Sequence, residues 1–92
     1  MESDLRARIE SELKAEIESL RAARDELRVQ AHLGAVEVRE AWGKAEKNWS
    51  HLEGRLKVLG EAASESLEEI GEAAGILADE IRRGYQHLRK LL

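Results

Sequence analysis

The chain has 92 residues, 37% of them charged and 3% aromatic, with no Pro, Cys or Phe. That length holds at most one domain, and the missing Cys removes disulfides and thiolate metal sites. A balance of 15 basic against 19 acidic residues gives a net charge of −4, which argues against nucleic acid as a partner.

Read from the N-terminus, Met1-Glu2-Ser3-Asp4 is acidic and lacks the apolar stretch of a secretory signal, so a cytoplasmic location is expected. Nowhere does the chain approach the roughly 18 consecutive apolar residues of a spanning helix. Leu5, Ile9, Leu13, Ile17, Leu20 and Leu27 then follow at steps of three and four, with Arg24 taking the seam position at its own turn. This is the helical period, drawn as a narrow stripe between dense charges and suited to a two-stranded seam.

From Val38 through Trp42, Ala45, Trp49, Leu52, Leu56 and Leu59 to Ala63 the steps alternate strictly four and three, the pattern of a coiled-coil seam. Both tryptophans fall at equivalent positions one heptad apart, as large knobs among small neighbours such as Ala41, Gly43 and Ala45. Beyond them, Leu67, Ile70, Ala74, Leu77, Ala78, Ile81, Tyr85 and Leu88 form a wider apolar face that asks for two neighbours. Acid-first i,i+4 pairs such as Glu2/Arg6, Asp4/Arg8, Glu10/Lys14, Glu40/Lys44, Glu53/Lys57 and Asp79/Arg83 support helix throughout, each by a few tenths of a kcal/mol.

The fold expected is therefore all-α, a single helical domain over 1–92. A long helix 1–59, a turn at 60–65 and a second helix 66–92 make a helical hairpin. Gly60 can adopt the left-handed conformation that ends a helix, and Ser66 with Glu69 fits a capping box. Residues 61–80 hold seven acids and no base, whereas 81–92 hold four bases and no acid, as a separate helix dipole favours. Gly34 is a second possible break, but nothing polar follows it to make a loop. Ser50 with Glu53 also resembles a capping box, inside an unbroken seam. A hairpin of this kind leaves the N-terminal third uncovered by its own chain. A second copy is expected to cover it, giving a dimeric four-helix bundle with a two-stranded N-terminal extension. Its core is drawn from Leu13, Ile17, Leu20 and Leu27, then Trp42, Trp49, Leu52 and Leu56, then Leu67, Ile70, Leu77, Ile81 and Leu88.

No constellation for catalysis emerges. His32, His51 and His87 have neither an acid nor another His three or four residues away, so no two-ligand metal site forms on one helix. The serines sit in charged helical or capping contexts, without a phosphate loop or nucleophile elbow. Glu65, Glu68, Glu69 and Glu72 lack a loop to converge on an ion and read as a solvated acidic face. Gly71-x-x-x-Gly75, with Ala74 and Ala78, marks close approach of a second helix. No catalytic residue, cofactor or metal is assigned.

The stretch Leu20-Arg21-Ala22-Ala23-Arg24-Asp25-Glu26-Leu27-Arg28, followed by Ala41-Trp42-Gly43-Lys44-Ala45-Glu46-Lys47-Asn48-Trp49, resembles a group of short bacterial coiled-coil proteins, many of them labelled stress-response or uncharacterised. That resemblance covers about a third of the chain and implies a small bacterial cytosolic protein; it carries over no catalytic residue. The second Trp comes closer to the first than in that pattern, and residues 60–92 have no counterpart in it. The function expected is that of a non-enzymatic, homo-oligomeric interaction or scaffold protein, whose partners are itself, as a homodimer, and a protein the residues do not name. The alternative is peripheral binding to a membrane surface through the basic amphipathic segment 81–92.

Overall fold

A computed structural model describes residues 2–61 and 63–92; Met1, Ala62 and the side chains of Glu2, Ser3 and Ser64 lie outside it, and with them the Ala62 part of the expected turn and the Glu2/Arg6 pair. The described chain is helical: α1 spans Glu2–His32, α2 spans Val36–Glu61, a 3-10 turn spans Ser64–Ser66 and α3 spans Leu67–Leu91. The helices run up, down and up in a bundle whose principal extents are 49 × 18 × 15 Å. Its length is that of α1 itself, about 46 Å at 1.5 Å per residue.

The expected long helix 1–59 is two helices, broken at Leu33–Ala35. This break needs no polar loop. The amides of Leu33 and Gly34 donate to the carbonyls of Val29 and Ala31, and the Arg39 amide donates to Ala35, which opens α2. His32 Nδ1 donates to the Arg28 carbonyl at 2.7 Å, one turn back in the last turn of α1. Gly34 serves here through its size. A Cβ on it would lie 2.7 Å from Val38 Cγ1 and 2.9 Å from Val38 Cβ, and Val38 is buried.

The chain does turn again between α2 and α3, but by different means from those the sequence suggested. Gly60 has no positive φ and remains inside α2, which continues to Glu61. Ser66 caps α3 from helical backbone angles, φ −102° and ψ −9°, and makes no side-chain capping bond. The box with Glu69 therefore does not close, because an N-cap hydroxyl reaches the helix amides from extended backbone. The 3-10 turn supplies the entry instead, with the Ser66 amide donating to Ala63 at 3.0 Å.

The break at Leu33–Ala35 sends α1 back along the other two helices, so the N-terminal third is covered by its own chain and there is no N-terminal extension. Leu13, Ile17, Leu20 and Leu27 of α1 meet Trp42, Trp49 and Leu52 of α2 and Leu67, Ile81 and Leu88 of α3 in one buried core; Leu56, Ile70 and Leu77 are partly buried against it. Positions expected to face a second copy thus face one another. The wide apolar face of α3 does have two neighbours, α1 and α2. Gly71 marks the close approach to α1, since a Cβ there would lie 2.9 Å from Ile9 Cγ2, whereas Gly75 has open space.

Candidate interaction surface

Three seams join the helices, and they are finished differently. Between α1 and α2, Arg24 forks onto Glu46, with Nε to Oε1 at 2.7 Å and Nη2 to Oε2 at 2.8 Å. The same guanidinium lies 5.3 Å from the Trp49 ring centre, and that of Arg21 lies 5.8 Å away. Glu46, one turn before Trp49, thereby holds Arg24 over the indole. The Arg24 hydrogen bond holds the Glu46 carboxyl below its ordinary value against the opposing effect of burial. Lower in the same seam, Arg6 donates to the Leu59 carbonyl at 3.0 Å, capping the end of α2 from outside.

Between α1 and α3, Arg82 pairs with Glu16, and Arg89 reaches Glu26 at 3.5 Å. Asp79 also draws in Arg82 and Arg83, each at 3.0 Å. Among the described residues no ion pair links α2 to α3, although this is the most extensive of the three interfaces. Its inner side is apolar and tight. Trp42 stacks on Tyr85 with ring centres 6.3 Å apart and planes 19° apart, while His32 meets Trp42 edge-on. The Tyr85 hydroxyl is buried without a hydrogen-bond partner, and burial, with Glu46 adding to it, pushes the phenol up to about 12.

Its outer side is an open groove, lined by Ser50, His51, Gly54, Arg55 and Val58 of α2 and Ala73, Ile76 and Leu77 of α3. Val58 is 45% exposed and Ile76 58% exposed. Nothing lies within 4 Å of a Cβ placed on Gly54, so the floor is clear. Large apolar side chains facing solvent within a groove mark an interaction surface more than isolated ones do. Other exposed apolar side chains, Leu33 and Leu92 among them, sit at the ends of helices.

Within segment 81–92, Ile81, Tyr85 and Leu88 are turned into the bundle, while Leu91 and Leu92 are exposed beside the basic outer face. No described helix is long and apolar enough to cross a membrane, and the described residues bring together no group of three metal-ligating side chains. The groove escaped sequence reasoning because Val58 and Ile76 lie off the seam; the usable signal was a pair of large apolar residues on otherwise charged faces.

The chain matches no family model, no curated protein and no solved structure.

Proposed function

We propose that this chain is a non-enzymatic helical interaction protein that assembles with itself, as a homodimer, to serve as a scaffold. The observation that carries the reading is the α2/α3 groove, where Val58 and Ile76 stay exposed in mid-helix, away from the exposed apolar residues at the helix ends. The resemblance of residues 20–28 and 41–49 to short bacterial stress-response proteins supports a role in bacterial stress physiology. Sedimentation equilibrium across the micromolar range is the test. A species of twice the 10.4 kDa chain mass is the expected result. A folded, cooperative monomer at every concentration overturns the reading.

A further inference from the structure

The turn between α1 and α2 is weakly held. Leu27, Ala31, Ala35 and Val38 carry the apolar seam across it at helical steps, and Leu33, Gly34 and Ala35 include no Pro and no positive φ. Ala35, which precedes α2, has no side-chain acceptor to cap it. The amides of Ala35, Val36, Glu37 and Val38 have no backbone partner among the described residues. One continuous helix would pair these amides with the carbonyls of Ala31, His32, Leu33 and Gly34. Nor does packing hold the turn from outside, since Leu33 is 84% exposed and Val36 58%. By contrast, α2 and α3 share the most extensive interface, so α1 is the helix free to leave.

We infer that two copies exchange α1 by straightening this turn, so that α1 of each lies on α2 and α3 of the other. The inference rests on the self-association proposed above and gives it a means that does not use the groove. A second α1 is an occupant whose fit to α2 and α3 is already on view, because it is identical to the first. The contacts of α1 outside the turn are remade between chains. They include the Arg24 fork on Glu46, the roof over Trp49 and Arg6 on the Leu59 carbonyl. The pairs of Glu16 with Arg82 and Glu26 with Arg89 are remade in the same way. Closed chain and exchanged pair therefore differ at the hinge, where the straight form gains backbone hydrogen bonds. The two straightened helices run antiparallel about a two-fold axis at the hinge, as α1 and α2 do within one chain. Mass action decides between the forms, and rising concentration favours the pair.

Two substitutions at the hinge act in opposite directions. In Gly34→Ala the new Cβ meets Val38 Cγ1 at 2.7 Å in the turn, whereas a straight helix prefers Ala to Gly. With a hinge in each chain of the dimer, Kd is expected to fall about 30-fold or more. Val36→Pro stands at the first position of α2, which accepts Pro when the turn is closed; inside a straight helix it breaks the hydrogen-bond ladder. It is expected to weaken the dimer about 1000-fold or more, leaving a helical monomer by sedimentation and circular dichroism. Exchange itself is read with Glu26→Cys and Arg89→Cys together in the full-length chain, which otherwise lacks Cys. These positions meet across α1 and α3, and a short bismaleimide joins them. On a denaturing gel the exchanged pair gives a covalent product of twice the 10.4 kDa chain mass, whereas closed chains run singly. A dimer whose cross-links stay within single chains, or a Val36→Pro dimer as tight as wild type, overturns the exchange while self-association stands. A wild-type monomer at every concentration overturns both.

Discussion

Trp42 and Trp49 stand one heptad apart on the same face of α2, and both are buried, yet they are held in opposite ways. Trp42 is packed by rings: Tyr85 stacks on it and His32 meets its edge. Trp49 is roofed by cations, with Arg21 and Arg24 over the indole and Glu46 fixing Arg24 in place. The level of Trp42 carries the unpartnered Tyr85 hydroxyl, whereas the groups laid over Trp49 are charged and part-buried. Equal burial thus conceals two chemistries, and they respond to different perturbations.

Truncating Trp42→Ala removes the centre of the ring stack and should cost about 3–5 kcal/mol of unfolding free energy, measured by urea denaturation. Alkali acts on the same level. The Tyr85 phenol titrates higher in the folded chain than in the unfolded one, so its contribution is intact below pH 10 and lost as pH rises towards 12. A shift of that size corresponds to about 2–3 kcal/mol. Tyr85→Phe should abolish this part of the alkaline loss while gaining about 1 kcal/mol at neutral pH by removing an unpaired buried hydroxyl.

The level of Trp49 should instead show coupling. A double-mutant cycle of Arg24→Met and Trp49→Leu is expected to give about 0.5–2 kcal/mol, and the matching cycle between Arg24 and Trp42 close to zero. Acid is the relevant stress there. Because the Glu46 carboxyl is depressed in the folded state, its contribution is present above the unfolded value and disappears as pH falls through the folded one. Wild type should therefore lose more stability than Glu46→Gln between neutral pH and pH 3, and equal losses would show that the fork does not hold Arg24.

The all-helical class and the buried positions were legible in the sequence because a three-and-four periodicity reports which face is turned inward. It does not report whose residues cover that face, so Leu13, Ile17 and Leu20 could be assigned to a core without showing that α2 and α3 of the same chain supply the rest. The turns were harder still. Capping chemistry pointed to Gly60 and Ser66, where the structure uses neither a left-handed glycine nor a side-chain cap. At Gly34 the requirement is steric and comes from Val38, which only the folded-back geometry reveals. Gly34→Ala should destabilise by about 1–3 kcal/mol. Gly60→Ala, in open space within a helix, should gain about 0.5–1 kcal/mol. Thermal melts of the two variants separate these signs. Arg24 was visible as a charge interrupting the apolar seam; recognising it as a roof over Trp49 required knowing that α1 runs antiparallel to α2.

An odd number of helices has a mechanical consequence. The up-down-up order leaves the two ends of the described chain at opposite poles of a bundle 49 Å long. Tension applied through them runs along the helix axes and loads the interfaces in shear, all levels at once. A two- or four-helix arrangement with both ends at one pole peels apart level by level from that pole. Pulled end to end, this bundle resists as a strut, with the levels of Trp42 and Trp49 carrying the load together.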